Sequence, residues 1–76
     1  MYQKVVLIGN LGNDPQQKFT QNGTPVTSFS LATNERWADK DGGQQERVTW
    51  WRVTAWGRLG EICAQYLSKG SPALVE

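Results

Sequence analysis

In the first half of the chain, one apolar run and one alternating segment predict β-strands. Residues 4–10 form an apolar run rich in β-branched side chains, which predicts a mostly buried first strand. Residues 26–34 alternate between two faces, as a half-buried strand does. Between these segments, turn-forming residues predict an irregular strand with only Phe19 to bury, followed by a tight hairpin turn at Asn22-Gly23.

A polar segment separates the second strand pattern from a third. Residues 35–46 are polar and charged, contain two adjacent glycines, and predict a protruding hairpin loop that carries Trp37. Residues 47–56 are dense in Val, Thr and Trp, which favour a strand.

The period changes after Gly57 and predicts an amphipathic helix. Apolar residues recur at i, i+3, i+4, i+7 and i+8, namely Leu59, Ile62, Cys63, Tyr66 and Leu67. Gly70 is placed to end the helix, with Glu61 in its first turn and Lys69 in its last. Residues 71–76 begin another strand.

Length and composition narrow the classes of function. The chain has 76 residues, which predicts one domain over residues 1–76 whose small core needs support from an oligomer or a partner. It has one cysteine and no histidine, so we expect no disulfide within the chain, no metal site and no enzyme. No signal peptide and no membrane-spanning run is visible, so we expect a soluble intracellular protein.

Three of the four tryptophans lie in residues 50–56. Alternation places Trp50, Arg52 and Trp56 on one face of the strand and Trp51 on the other, with core residues. A strand face with an arginine between two indoles is unsuited to a core. It is well suited to nucleic acid, because bases stack on indoles while the guanidinium binds phosphate. The alternative is that these tryptophans pack inside, which we prefer for Trp51, either in the core or at a subunit contact.

Trp37 and the basic residues leave alternatives open. Trp37 either stacks a base or folds back onto the sheet. The net charge is only +1, and the basic side chains are scattered along the sequence. They follow a phosphate backbone only if Arg36, Lys40, Arg52 and Arg58 converge on one groove.

Three stretches of the chain resemble the bacterial single-stranded DNA-binding proteins, which also occur in organelles of bacterial descent. They read KVVLIGNLGNDP, NGTPVTSFSLATNERW and TWWRVTAWGRLGEICAQYLSKGSPALVE, in the family's order. The most specific part is the pattern W-x-R-V-x-x-[WF]-G followed by a helix and YL-x-KGS. The resemblance implies an all-β oligonucleotide-binding fold (OB-fold), a small Greek-key β-barrel with one α-helix after its third strand.

The resemblance also implies residue roles and partners. Bases stack at the positions of Trp37, Trp50 and Trp56, and the family's basic positions near the DNA correspond to Lys4, Lys40, Arg52, Arg58, Lys18 and Lys69. The implied partners are single-stranded DNA and further copies of the chain, as a dimer at minimum and more often a tetramer. No cofactor, metal, membrane or small-molecule substrate is implied, and the location is the bacterial cytoplasm or such an organelle.

The chain departs from the family after Glu76. A complete family domain continues with a further hairpin and a closing strand, and then usually with a flexible tail whose acidic tip recruits replication and repair proteins. We therefore expect a barrel that is incomplete at its C-terminal end and has unpaired edges. The chain is a fragment, a short paralogue completed by oligomerisation, or a short paralogue with weakened DNA binding.

Two functions of different classes follow. The first is sequence-tolerant binding and protection of single-stranded DNA in replication, repair or recombination, with single-stranded RNA as a milder variant. The alternative is an oligomeric protein-interaction module with weak or no DNA binding, because exposed tryptophan and arginine are also typical of protein interfaces.

Overall fold

A computed structural model describes residues 4–76, and its strands follow the alternating segments of the sequence. The elements in chain order are β1 (Leu7–Leu11), β2 (Gln16–Phe19), β3 (Pro25–Ala38), β4 (Gln44–Trp56), α1 (Gly57–Tyr66) and β5 (Pro72–Val75). The prediction placed the helix after the third strand. Because the short β2 is a strand of its own, the helix instead follows the fourth strand.

β3 organises the sheet, in which every pairing is antiparallel. It pairs with β2 near its start, with β1 around Leu31 and Ala32, and with β4 along nearly its whole length. Within residues 4–76, β4 pairs only with β3, and β5 only with β1. The sheet therefore curls into a half-barrel that is open between β4 and β5. This confirms the all-β OB-type fold and the incomplete barrel.

The core lies on the concave side of the sheet, which we call the core face. Thr27, Phe29 and Leu31 on β3 are buried there, as the alternation predicts, and Leu11 and Ala55 join them from β1 and β4. The opposite side of β2, β3 and β4 is the outer face. Because β3 and β4 pair without a bulge, side chains alternate strictly between the two faces.

Helix α1 docks on the core face through a glycine. The Thr27 hydroxyl donates a buried hydrogen bond of 2.7 Å to the Gly60 carbonyl, and a Cβ at Gly60 would lie only 2.5 Å from the Ala55 carbonyl oxygen. The predicted apolar stripe is therefore only partly buried. Cys63 and Leu67 pack against the core, whereas the other stripe residues, Leu59, Ile62 and Tyr66, are exposed.

The first strands are shorter and more exposed than predicted. β1 begins at Leu7, where its pairing with Val75 begins, and residues 4–6 are not in a strand. Ile8 points away from the core and is exposed, because side chains alternate along β1. Phe19 is also exposed, since it ends the short edge strand β2. The turn at Asn22-Gly23 is confirmed, with Gly23 at φ 81°.

The segment predicted as a loop over residues 35–46 is mostly strand. Pairing continues from Glu35 opposite Arg47 to Ala38 opposite Gln44, which leaves a tip of residues 39–43. Beyond Ala32, the only strand of residues 4–76 that pairs with β3 is β4, so a two-stranded ribbon projects from the half-barrel. Its polar sequence reflects a strand pair with solvent on both faces, and not a lack of regular structure.

The helix ends at Tyr66, earlier than the predicted end at Gly70, and neither Glu61 nor Lys69 lies in a terminal turn. The backbone N–H of Lys69 donates to the Asp14 carboxylate at 2.8 Å, and that of Gly70 donates to the last carbonyl of β1 at 2.9 Å. These long-range hydrogen bonds hold residues 69–70 beside the end of β1, where they cannot continue the helix. No helix within residues 4–76 has the length and apolarity needed to cross a bilayer.

Candidate nucleic-acid interface

The outer face of β4 carries an exposed aromatic strip. Trp50 and Trp56 are each 62% exposed, with Arg52 and Thr54 between them on the same face. Six residues of extended chain separate the two indoles, which corresponds to about 20 Å. This agrees with the face predicted from alternation.

The neighbouring strand leaves these indoles uncovered. On the outer face, β3 places Ala32 opposite Trp50, Ser30 opposite Arg52 and Val26 opposite Trp56. These β3 side chains are shorter than their partners on β4, so they leave the indoles and the guanidinium protruding from the sheet. The strip is therefore open to a flat ligand.

Trp50 lies against the turn that follows β1. A Cβ at Gly12 would overlap Cζ3 of the Trp50 ring and would lie 2.9 Å from its Cη2. The turn itself is fastened to β3, because the Gly12 N–H donates to the Ser30 carbonyl at 2.9 Å and the Asn13 side chain accepts from the Ser30 N–H at 2.8 Å. The indole is thus supported by a turn that is hydrogen-bonded to β3, a contact that the sequence pattern had not revealed.

Three basic residues lie near the strip. Arg52 is exposed within it, and Arg58 is exposed in the first turn of α1, two residues beyond Trp56. Lys18 is opposite Val26, which is itself opposite Trp56, so Lys18 shares the outer face two strands away. Within residues 4–76, none of the three forms an ion pair.

Trp37 emerges on the other face of the ribbon. It is opposite Gln45, and the unbroken register gives it the same side as Thr27, Phe29 and Leu31. Its side chain is 45% exposed, and the Arg47 guanidinium carbon lies 5.8 Å from its ring centroid. The structure therefore does not put the three predicted stacking tryptophans in one row.

Two other predicted basic residues, Lys40 and Lys4, lie far apart. Lys40 is exposed at the tip of the ribbon. Lys4 forms an exposed ion pair of 3.1 Å with Glu76, beside the end of β1 that pairs with Val75. That end is the one away from Gly12 and Trp50, so the structure does not bring Lys4 to the aromatic strip.

Trp51 follows the predicted alternation to the core face. It is opposite the buried Leu31 but is itself 40% exposed, so it is not buried in the core, and its Nε1–H donates to the Thr33 hydroxyl at 2.9 Å. The side chain is thus held by a hydrogen bond on the side away from the aromatic strip.

Two titratable groups within residues 4–76 have shifted pKa values, and both lie outside the strip. Hydrogen bonds from the Gln45 side chain and from the backbone N–H groups of Gly43 and Asp41 lower the pKa of Asp39 below 3.8. Burial raises the pKa of the Cys63 thiol, which lines an apolar groove of about 400 Å³ on the open side of the half-barrel.

The curled sheet, its helix and the exposed aromatic strip define an OB-fold protein. Comparison with known families makes the assignment specific: the chain belongs to the single-strand binding protein family, whose model matches residues 2–76. It is 51% identical over 73 residues to single-stranded DNA-binding protein 1 of Chlorobaculum tepidum, covering 96% of this chain and 45% of that protein. It is 55% identical to the single-stranded DNA-binding protein of Xylella fastidiosa, covering 96% and 44%. The chain thus spans less than half the length of these relatives.

Solved structures confirm the fold. The Plasmodium falciparum SSB in complex with ssDNA is 32% identical, with a TM-score of 0.85 over 97% of this chain and 69% of that one. A deletion mutant of the single-stranded DNA-binding protein from Thermus aquaticus is 30% identical, with a TM-score of 0.82 over 92% of this chain and 34% of that one.

Proposed function

We propose that this chain binds single-stranded DNA with little sequence preference. The observation that carries the proposal is the outer face of β4, where two exposed indoles flank an arginine that is free of ion pairs within residues 4–76. Every base has a π-face, so stacking on indoles is tolerant of sequence. The relatives named above as single-stranded DNA-binding proteins support the same function.

The proposed roles follow the geometry. Trp50 and Trp56 stack bases, while Arg52 and Arg58 hold the phosphates between and beside them. The sheet adds Lys18 to this face. Along the ribbon, Trp37 and Lys40 extend the contact. Lys4 makes a peripheral phosphate contact that replaces its exposed ion pair with Glu76.

Titration with oligo-dT at low and high salt tests this function. We expect strong quenching of tryptophan emission, and we expect salt to weaken the binding, because phosphate contacts release counterions. Absence of quenching at micromolar DNA would reject the proposal.

A matched pair of variants makes the test specific to the strip. Trp50→Ala removes a stacking platform worth about 1–3 kcal/mol, so binding should weaken by roughly tenfold or more. Trp51→Phe changes the adjacent residue on the opposite face and should leave the affinity close to that of the parent chain. Equal losses in the two variants would contradict the assignment of faces. Thermal unfolding of each variant controls for effects on the fold.

We further propose that the chain forms a homo-oligomer, which is a tetramer or, at minimum, a dimer. Ile8 and Leu74 are register partners on β1 and β5, and both are exposed on the side away from the core. Adjacent exposed apolar side chains of this kind favour contact with another chain. A monomeric mass by light scattering across micromolar concentrations would refute this.

The proposed setting is DNA replication, repair and recombination in a bacterial cytoplasm or an organelle of bacterial descent, with no catalytic role. The interaction-module alternative gains no support from the relatives. It would be revived by an unchanged emission spectrum in the oligo-dT titration. A parallel titration with oligo-rU separates DNA from RNA binding.

A further inference from the structure

Arg47 and Trp37 form a contact pair on the ribbon. Arg47 is opposite Glu35 and Trp37 is opposite Gln45, so the two residues are diagonal neighbours on one face. The guanidinium carbon lies 5.8 Å from the centroid of the indole, within the range of a cation–π contact. Arg47 therefore covers one side of a partly exposed tryptophan.

The charge of Arg47 remains available. Glu35 is directly opposite it in the ladder, yet Arg47 forms no ion pair with any carboxylate in the described part of the chain. Arg36 occupies the next register position, points to the other face, and lies 3.8 Å from the Glu46 carboxylate. Of these two neighbouring arginines, only Arg47 is placed against an aromatic ring instead of an acidic side chain.

We propose that Arg47 is a further DNA-binding residue. Its guanidinium covers one side of the Trp37 indole, leaves the other side for a single base, and binds the phosphate of that nucleotide. A planar, delocalised cation can stack on a ring while its N–H groups point outward to an anion. The inference rests on the proposed function and extends the binding surface from the outer face to the opposite face of the ribbon.

Two double-mutant cycles test this assignment by fluorescence anisotropy of labelled oligo-dT. The first combines Arg47→Ala with Trp37→Ala. The second combines Arg36→Ala with Trp37→Ala, and it is the matched control, since Arg36 carries the same charge one position away on the other face. Arg47→Lys is included because it keeps the charge and loses the planar stacking group.

We expect Arg47→Ala to weaken binding about threefold to tenfold, and to lose most of this effect when Trp37 is already alanine. The slope of log affinity against log salt should fall by about 0.7, as for the loss of one phosphate contact to a single strand. Arg47→Lys should keep the slope but bind more weakly than the parent chain. Arg36→Ala should show no coupling to Trp37.

Three results would overturn the proposal: an unchanged affinity in Arg47→Ala, an unchanged salt slope, or coupling to Trp37 that is no stronger than that of Arg36. Thermal unfolding measured on every variant separates these results from loss of the fold. If the parent chain does not bind oligo-dT, the proposed function itself fails. If the parent chain binds and Arg47→Ala binds equally well, only the role of Arg47 fails.

Discussion

Replacing Gly12 with alanine tests whether the turn after β1 sets the position of Trp50. The new Cβ would overlap the far end of the indole. Gly12 does not have a positive φ, so its backbone accepts alanine without strain. Since the ring is 62% exposed and the turn is hydrogen-bonded to β3, the ring and not the backbone should move.

The expected effects on stability and on binding differ. A stacked base contributes about 1–3 kcal/mol, and a displaced ring should lose part of this, so binding should weaken about threefold to tenfold. The free energy of unfolding should change by less than about 1 kcal/mol, because the lost contacts of the ring are offset by the smaller entropy of an unfolded chain with alanine in place of glycine. A binding defect without a folding defect is the signature of a positioning role.

The assay is anisotropy of labelled oligo-dT with Gly12→Ala, Trp50→Ala and the double variant, accompanied by denaturant unfolding. If Gly12 acts through Trp50, its substitution should have little effect once Trp50 is alanine. The reasoning would be refuted if Gly12→Ala bound as tightly as the parent chain. An equal loss with and without the indole would refute it too, because the turn would then act on binding by another route.

Two further predictions concern the fold and its pH dependence. Thr27→Val removes the buried hydrogen bond to the Gly60 carbonyl and should lower the free energy of unfolding by about 1–3 kcal/mol in urea denaturation; an unchanged value would show that the bond does not dock the helix. The pKa of Asp39 is lower in the folded chain than the ordinary value of 3.8, so its stabilisation of the ribbon tip is fully present above about pH 4 and is lost as the pH falls through the folded pKa. The Gly43 amide resonance should report this acid transition, and Asp39→Asn should abolish it; a transition that persists in Asp39→Asn would assign it to another group.

The outer face could be predicted because it depends on local alternation alone. Side chains of residues 47–56 alternate strictly between the two faces of the strand. The pairing of β3 with β4 contains no bulge that would reverse this alternation. Trp50, Arg52 and Trp56 therefore share a face in the structure as they do in the sequence pattern. The side assigned to Trp51 was correct for the same reason.

The face of Trp37 was not predicted, because residues 35–46 were interpreted as a loop and the alternation of β3 was not extended into them. The tip spans residues 39–43, and this length places Trp37 opposite Gln45. The face itself follows from β3, since the alternation that buries Thr27, Phe29 and Leu31 continues unbroken to Trp37. The polar sequence concealed where the strands end, which the last register pair and the hydrogen bonds between Asp39 and Gly43 define.

Contacts distant in sequence explain the other differences. The helix was predicted to reach Gly70, but the Asp14 carboxylate accepts a hydrogen bond from the backbone N–H of Lys69, 55 positions away in the sequence. Docking of the helix through Gly60 likewise depends on Thr27 and Ala55, which periodicity within the helix cannot reveal.

The open side of the half-barrel and the aromatic strip are structurally separate. The groove between β4 and β5 is lined by side chains of the core and helix, whereas the strip stands on the outer face, where β3 forms its floor and the turn after β1 supports Trp50. Trp50, Arg52 and Trp56 of the aromatic strip therefore lie within residues 4–76, and none of the three lines the groove. Covering the groove would bury more apolar surface and raise stability, but it would not create the strip. If DNA binding by this chain is weak because the fold is marginal, a stabilising osmolyte should restore the affinity. Binding that stayed weak in a chain shown to be folded would instead show that the strip alone does not supply full affinity.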